Sequence, residues 1–163
     1  MKTYPITLSK VFPSKHQQHG NPTNFRQLYE DGEKIHTIRA SCELWENRFE
    51  NILAGEAVLS LRQWSDKPYY SKQELIKDLT ASDMIGVQRL IFLDGDISKP
   101  RIVLPPNLFQ PNEILLPVSM NTLAKNDGLF LADWIDWFRS YDLTKPMDII
   151  HFTKFRYANE TNS

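Results

Sequence analysis

A short segment of the chain concentrates polar side chains whose types suit catalysis. Its sequence is Lys34-Ile35-His36-Thr37-Ile38-Arg39. A buried lysine can lose its charge and act as a base, and a threonine hydroxyl beside it can be activated as a nucleophile. The guanidinium of Arg39 offers a fixed fork of donors to a phosphate or a carboxylate. The segment is therefore the first candidate for a catalytic or ligand-binding site.

The spacing of Lys34 and Thr37 places a geometric condition on this hypothesis. In a strand, Thr37 and Arg39 share one face, whereas Lys34, three positions before Thr37, lies on the opposite face. Lys34 and Thr37 therefore meet only if the chain bends between them, or if Lys34 belongs to the loop that follows Gly32. An edge strand that exposes Lys34 and Arg39 to solvent is the alternative.

Asp127 is the second candidate, because a carboxylate at this position could carry a proton or orient a lysine. It lies between Asn126 and Gly128, directly before a predicted helix. Asp is also among the best N-cap residues, so a purely structural cap is the alternative interpretation.

Aromatic and histidine side chains supply candidate ligand contacts. Trp64 and Tyr69 flank a loop after a predicted strand, where exposed rings could stack on a base. Packing of these rings over the end of the sheet is the alternative. His36 is either a ligand contact or a buried structural residue. His16 and His19 are three residues apart in a loop-like context without further ligands, so neither a metal site nor a cofactor is predicted.

The hydrophobic patterning predicts the elements that must position these residues, with more strands than helices. Strands are predicted over residues 6–12, 35–39, 57–64, 85–93, 101–104, 114–118 and 147–155. Helices are predicted over residues 24–32, 43–54, 71–79 and 129–140. The short connections between them predict an α+β fold, with a small mixed or antiparallel barrel or curled sheet and flanking helices.

The composition limits the class of protein that these elements build. The 163 residues carry 19 Lys and Arg against 20 Asp and Glu, a net charge of −1, and 41% of them are hydrophobic. We expect one domain spanning residues 1–163. The near-zero charge argues against a nonspecific polyanion binder, although residues 1–29 hold four cations and no acid. Cys42 is the only cysteine, which excludes an internal disulfide and a cysteine zinc site.

The hydropathy pattern bears on location. No apolar run approaches the roughly 18 residues of a membrane span, and no signal-peptide core follows the first ten residues. We therefore expect a cytoplasmic protein that does not enter a membrane.

Four motifs, in order along the chain, resemble a known family. The segment from Lys34 to Arg39 resembles the K-x-x-T-I-R motif of ASCH domains, members of the PUA-like superfamily. Gly55-Glu56-Ala57-Val58-Leu59 resembles the strand entry G-D-x-[VL] of that family. Leu123-Ala124-Lys125-Asn126-Asp127-Gly128-Leu129, with the aromatic helix after it, resembles its acidic turn, and Ile149-Ile150-His151-Phe152 its closing strand. The resemblance covers most of the chain, and residues 65–120 are longer than a minimal ASCH domain requires.

The resemblance implies a small PUA-like β-barrel with a cleft for RNA or a modified nucleobase. Some family members are amidohydrolases that remove the acetyl group of N4-acetylcytidine. On this chain, Lys34 would take the place of the base, Thr37 that of the nucleophile and Asp127 that of the catalytic acid. Those amidohydrolases carry Glu where this chain has Asp127, and a gap of about 1 Å can cost about a hundredfold in rate. Asp83 is a second acid that competes for this position.

Three functions remain open from the sequence. The leading hypothesis is an ASCH-type domain that binds RNA, a nucleotide or a modified nucleobase in a basic cleft lined by Lys34, Thr37 and Arg39. The balanced charge favours one or a few nucleotides over a long strand. The first alternative is hydrolysis of an N4-acylated cytidine in the same cleft, through a threonyl ester or a threonine-activated water. The second is a non-enzymatic module that binds a protein partner through residues 65–120.

Overall fold

Eight strands and four α-helices form a mixed α+β fold over residues 1–158, the part of the chain that the computed structural model describes. The strands are β1 (Lys2–Leu8), β2 (His36–Arg39), β3 (Ala57–Trp64), β4 (Gln73–Leu79), β5 (Gly86–Phe92), β6 (Pro100–Leu104), β7 (Ile114–Pro117) and β8 (Met147–His151). The helices are α1 (Phe25–Glu30), α2 (Cys42–Leu53), α3 (Met120–Asn126) and α4 (Leu131–Phe138). Among residues 1–158, no helix combines the length and the apolar character needed to cross a bilayer.

The strands form two sheets. β1, β3 and β4 lie in that order in a three-stranded sheet, in which β1 and β3 are parallel and β3 and β4 are antiparallel. The other five strands form an antiparallel sheet with the order β2-β8-β5-β6-β7. Neither sheet is closed within residues 1–158, so the structure shows the α+β class and the barrel stays a prediction.

β8 is buried on both faces because it lies between two hydrophobic clusters. Ile150 belongs to a cluster with residues of β1, β3 and α2, and its neighbour Ile149 belongs to a cluster with residues of α3 and α4. β2 pairs with β8, and successive side chains of a strand point to opposite faces. Thr37, opposite Ile150, and Arg39 therefore share one face of the sheet, and His36 lies on the other.

Residues 71–79 contain a strand, so the helix predicted over them is wrong. β4 pairs with β3 in antiparallel register from Gln73 to Leu79, with one register shift between Leu61 and Arg62. Ser71, the predicted helix cap, instead closes the loop before β4, because its Oγ donates to Lys67 O (2.8 Å). The backbone groups along the edge of β3 need hydrogen-bond partners, and this long-range pairing outweighs a local helix signal.

The other predicted elements are present, most of them with shifted ends. The strand predicted over residues 57–64 has the observed bounds, whereas the first strand is Lys2–Leu8 rather than 6–12 and the last ends at His151 rather than at residue 155. Helix α3 is absent from the prediction; it begins after Ser119, whose side chain accepts from Asn121 N (3.1 Å). Residues 65–120 contain β4 to β7 and so supply three strands of the five-stranded sheet.

Candidate functional site

Lys34 lies outside β2, in the turn that joins α1 to this strand. Its backbone N donates to Leu28 O (3.0 Å), so the chain bends before the strand begins. Ile35 N then donates to Asn126 O (2.9 Å), which ties the bend to the end of α3. Lys34 and Thr37 consequently line one cavity of about 310 Å³, and the geometric condition that their spacing imposes is met.

This cavity, called the Lys34 cavity below, combines charged, hydroxyl and aromatic groups. Lys34 and Arg39 supply two cations, Asp127 supplies a carboxylate and Thr37 supplies a hydroxyl. The aromatic lining comes from α1, from the 65–72 loop and from α4 with the residues after it: Phe25, Tyr69, Trp137, Phe138 and Tyr141. The cavity thus gathers hydrogen-bonding groups beside flat apolar surfaces.

Lys34 and Asp127 form a buried ion pair in the wall of the cavity. Their side chains are 1% and 5% exposed, and Lys34 Nζ donates to Asp127 O (2.6 Å) and Asp127 Oδ1 (3.0 Å). Burial lowers the pKa of Lys34, and the Asp127 carboxylate offsets this only in part. Burial alone would raise the pKa of Asp127, but the charge of Lys34 and the contact with His36 outweigh it, so this pKa lies below its ordinary value. The pair combines an ionised carboxylate with a lysine that releases its proton more readily.

Asp127 ends α3 and does not begin α4, so the N-cap interpretation is wrong. Its backbone N donates to Leu123 O (3.0 Å), and the residue before the first turn of α4 is Phe130. A carboxylate at a helix C-terminus is unfavourable, because the helix dipole is negative there. The ion pair with Lys34 offsets this cost.

Arg39 holds the Thr37 hydroxyl in place. Arg39 Nη1 donates to Thr37 Oγ1 (2.6 Å) and to Ile38 O (3.1 Å), and Nη2 donates to Thr7 O (2.7 Å). Because Thr37 Oγ1 accepts from Arg39, its own hydrogen is free to donate to a ligand or a water in the cavity. Within residues 1–158, no direct hydrogen bond joins Thr37 Oγ1 to Lys34 Nζ, so a proton would pass between them through a ligand group or a water.

His36, a predicted ligand contact, lies on the other face of β2 and is completely buried. It is absent from the lining of the Lys34 cavity. Its Nε2 is 2.8 Å from the Tyr157 hydroxyl and its Nδ1 is 3.7 Å from Asp127 Oδ1. The structure therefore places His36 behind the Asp127 carboxylate.

Of the two aromatic candidates, Tyr69 and Trp64, only Tyr69 lines the Lys34 cavity. Tyr69 lines the Lys34 cavity and is 86% exposed, with a φ of 66°. Trp64 is not among the lining residues, but its ring lies 5.2 Å from that of Tyr69. Tyr69 is thus placed to contact a ligand at the rim of the cavity, and Trp64 is placed to support it.

Asp83 lies apart from the other candidates. Its Oδ2 accepts from Thr80 N (2.8 Å) in a capping box at the short 3₁₀ helix Ala81–Asp83. It lines a different cavity, together with Tyr29 and Lys154. Of the two acids, Asp127 is the one beside Lys34.

Trp137 and Tyr141 line the cavity although the sequence prediction omits them. Trp137 is three residues after Trp134, which is fully buried in the second cluster. Residues at this spacing lie on the same face of a helix, so the sequence predicts that both rings pack against the core and gives no separate signal for Trp137. Tyr141 follows α4, and the sequence around it carries no signal either.

Two further findings delimit the site. Within residues 1–158, no group of three or more His, Cys, Asp and Glu side chains is arranged to hold a metal ion. A larger cavity of about 900 Å³ is lined by Glu33, Lys125 and Phe130 among others. Lys34, Thr37 and Asp127 are not among its lining residues. The titratable groups with the chemistry of a site therefore belong to the smaller cavity.

Comparison of the chain with protein-family models, with curated proteins and with solved structures found no match. The assignment of this site consequently depends on its geometry and on the motif resemblance described above.

Proposed function

We propose that this chain binds one nucleotide-like molecule or modified nucleobase in the Lys34 cavity. The observation that carries the proposal is the convergence of Lys34, Thr37, Arg39 and Asp127 on one small cavity with aromatic walls. Ligand sites for small molecules are concave, partly apolar and fitted with a few polar groups that fix orientation. Flat rings suit a base, and the hydroxyl, guanidinium and carboxylate groups suit its polar edge or a phosphate.

The dimensions and charges of the cavity favour a single nucleotide over a strand. A volume of about 310 Å³ lies at the lower end of the range for small-molecule sites. Two cations and one carboxylate give the lining a net charge of only +1. A tracking surface for RNA requires many phosphate contacts, which this cavity does not offer.

The fold is compatible with the same proposal. We infer that the α+β arrangement is a PUA-like fold, in which the three-stranded and five-stranded sheets together take the place of the barrel. The support is the order of the four motifs. The K-x-x-T-I-R segment leads into and forms β2, the strand-entry motif leads into β3, the acidic turn ends α3 and the closing-strand motif spans β8.

Calorimetric titration with cytidine monophosphate and with N4-acetylcytidine tests the binding proposal. We expect saturable binding that Arg39→Met weakens about tenfold or more, because Arg39 holds Thr37 and presents its remaining N–H groups to the ligand. Arg62→Met is the matched control, since Arg62 is a partly buried β3 arginine that bonds Ser60 and Gln73 and is not in the cavity lining. Equal affinities of the two variants, or no binding to the wild-type chain, would contradict the proposal.

A second function, amide hydrolysis of an N4-acylated cytidine, is favoured by the buried Lys34–Asp127 pair. Because its pKa is lowered, Lys34 reaches its uncharged form more readily, and the uncharged amine can accept the proton of Thr37 by way of a water or a ligand group. Thr37 Oγ1 would then attack the acyl carbon, the bond from carbon to N4 would break, and N4 would take up that proton. Water would hydrolyse the threonyl ester and regenerate the hydroxyl, so the net change is one amide and one water to one amine and one acid.

The release of cytidine from N4-acetylcytidine tests this second function. Thr37→Val keeps the shape of a buried side chain and removes the hydroxyl, so we expect at least a thousandfold loss of kcat. Thr23→Val is the control. Thr23 is about as buried as Thr37 and its hydroxyl donates to Ser9 O (2.6 Å), but Thr23 is not among the lining residues of the Lys34 cavity. Turnover that survives in Thr37→Val would exclude Thr37 as the nucleophile, and absence of turnover in the wild type would exclude this substrate.

A further inference from the structure

His36 belongs to a chain of buried polar groups that ends at the Asp127 carboxylate. Asn126 Nδ2 donates to the Tyr157 hydroxyl oxygen (2.9 Å), and that hydroxyl lies 2.8 Å from His36 Nε2. On the other side of the ring, His36 Nδ1 is 3.7 Å from Asp127 Oδ1. Tyr157 is 7% exposed and His36 is fully buried, so water does not replace these contacts.

The Tyr157 hydroxyl and the Asp127 carboxylate together favour one tautomer of the His36 ring. An amide nitrogen only donates, so the Tyr157 oxygen accepts from Asn126 and is free to donate its own hydrogen to His36 Nε2. The proton of a neutral His36 then lies on Nδ1, the atom that faces the Asp127 carboxylate. The opposite tautomer would direct a lone pair of Nδ1 at a negative oxygen, which is repulsive. His36 Nδ1 has no hydrogen-bond partner within residues 1–158, and Asp127 Oδ1 is the charged atom that it faces.

We propose that His36 is a positioning residue for Asp127: held by Tyr157 with its proton on Nδ1, it donates to Oδ1 when a ligand occupies the Lys34 cavity. This inference rests on the amide-hydrolysis function proposed above. The 3.7 Å separation is longer than a hydrogen bond, and catalytic hydrogen bonds commonly shorten when a ligand is bound. Lys34 Nζ and His36 Nδ1 both face Asp127 Oδ1, which leaves Asp127 Oδ2 for the ligand.

A second donor, His36 beside Lys34, would hold the Asp127 carboxylate in one orientation. Asp127 has a shorter side chain than the glutamate of the amidohydrolases that the motifs resemble, and it lies at the negative end of α3. A carboxylate that is fixed by one lysine alone could turn about its side-chain bonds, and a displacement near 1 Å costs about a hundredfold in rate. The K-x-x-T-I-R motif leaves the His36 position unspecified, so this arrangement is a property of the present chain.

The groups that face His36 are consistent with a neutral ring. They are Asp127, Lys34, Tyr157 and His151, whose ring lies 5.6 Å away. Burial, opposed by the contact with Asp127, lowers the pKa of His36, and burial with the neighbouring His36 lowers that of His151 to about 2. Both histidines therefore stay uncharged at neutral pH, and the role of His36 depends on its tautomer.

Nitrogen NMR of the full chain with ¹⁵N-labelled histidine tests the tautomer without reference to activity. We expect a pyrrole-type resonance for Nδ1 and a pyridine-type resonance for Nε2 of His36. In Tyr157→Phe the Nε2 resonance should lose the effect of the hydrogen bond from the hydroxyl, whereas Nδ1 should keep its pyrrole-type resonance because the Asp127 carboxylate still faces it. A proton on Nε2 in the wild type, or an unchanged Nε2 resonance in Tyr157→Phe, would overturn the inference.

Kinetics with N4-acetylcytidine test the positioning role. His36→Leu should lower kcat about tenfold to a hundredfold and change KM less than about twofold, because the ligand does not touch His36. The acid limb of the kcat profile should move to higher pH, since removal of a donor raises the pKa of a carboxylate. His151→Leu is the matched control: His151 is equally buried and its ring lies 5.6 Å from that of His36, but its Nε2 lies 2.9 Å from Gln88 Oε1 rather than facing the Asp127 carboxylate.

The outcomes separate the two proposals. Similar kcat values and pH profiles for His36→Leu and His151→Leu would overturn the positioning role even if the wild type is active. Absence of turnover by the wild type would overturn the amide-hydrolysis function, and the NMR tautomer would still decide the arrangement of His36.

Discussion

The replacement Lys34→Met measures how strongly the buried ion pair supports the fold. It removes the partner of Asp127, whose side chain is 5% exposed, and leaves a buried carboxylate without a countercharge. Breaking a buried pair in this way costs about 3–5 kcal/mol of unfolding free energy. With a urea dependence of about 2 kcal/mol per M, the unfolding midpoint should fall by about 1.5–2.5 M.

The loss should depend on pH with a definite sign. In the wild type the folded pKa of Asp127 is lowered, so its contribution is present above the unfolded value of about 3.9 and is lost as the pH falls through the folded pKa. In Lys34→Met, burial without the lysine raises that pKa, so the variant loses stability as the pH rises above about 3.9. The difference between the two proteins should therefore be larger at pH 7.5 than at pH 4.5.

Urea unfolding followed by the fluorescence of the four tryptophans provides the assay. Lys99→Met is the control, because Lys99 is 48% exposed and its acidic neighbours are 3.9 and 4.0 Å away, so it should cost no more than about 1 kcal/mol. The double change Lys34→Met with Asp127→Leu should recover part of the loss, since no charge remains buried. A cost for Lys34→Met equal to that of Lys99→Met, or equal at both pH values, would refute the account of the ion pair.

Three further predictions concern the surroundings of the site. Gly128→Ala should cost more than Gly20→Ala by about 1 kcal/mol in urea unfolding: both have positive φ (80° and 82°), but a Cβ on Gly128 would lie 3.2 Å from Lys34 Cβ, whereas nothing lies near Gly20. Burial raises the folded pKa of Asp148 to about 7, so the unfolding free energy of the wild type should fall as the pH rises from about 4 to about 7. In Asp148→Asn this fall should be absent. Tyr69→Ala should leave the unfolding free energy within about 0.5 kcal/mol and weaken nucleoside binding about fivefold or more in calorimetry, because its ring is exposed at the cavity rim.

For the segment from Lys34 to Arg39, the sequence predicts much of the observed geometry. Alternation along β2 correctly assigns Thr37 and Arg39 to one face, and the requirement that Lys34 precede the strand is met by the turn after α1. These features depend on residues close together in the chain, where local geometry determines the outcome.

Features that depend on contacts between distant segments of the chain could not be predicted from local sequence patterns. The segment over residues 71–79 carries a helix-type cap signal, yet β3 pairs with it. Asp127 is expected at the start of a helix and lies at the end of another, because the pattern does not separate α3 from α4. The contact between His36 and Asp127 joins two segments far apart in sequence, and only the packed structure brings them together.

A crystal structure of the protein soaked with cytidine tests the central claim most directly. We expect the base to lie within the Lys34 cavity, with a polar atom in hydrogen-bond distance of Thr37 Oγ1 or Arg39 and the ring of Tyr69 against the ligand. An empty Lys34 cavity at saturating cytidine, or cytidine bound in the larger cavity beside Phe130 instead, would contradict it.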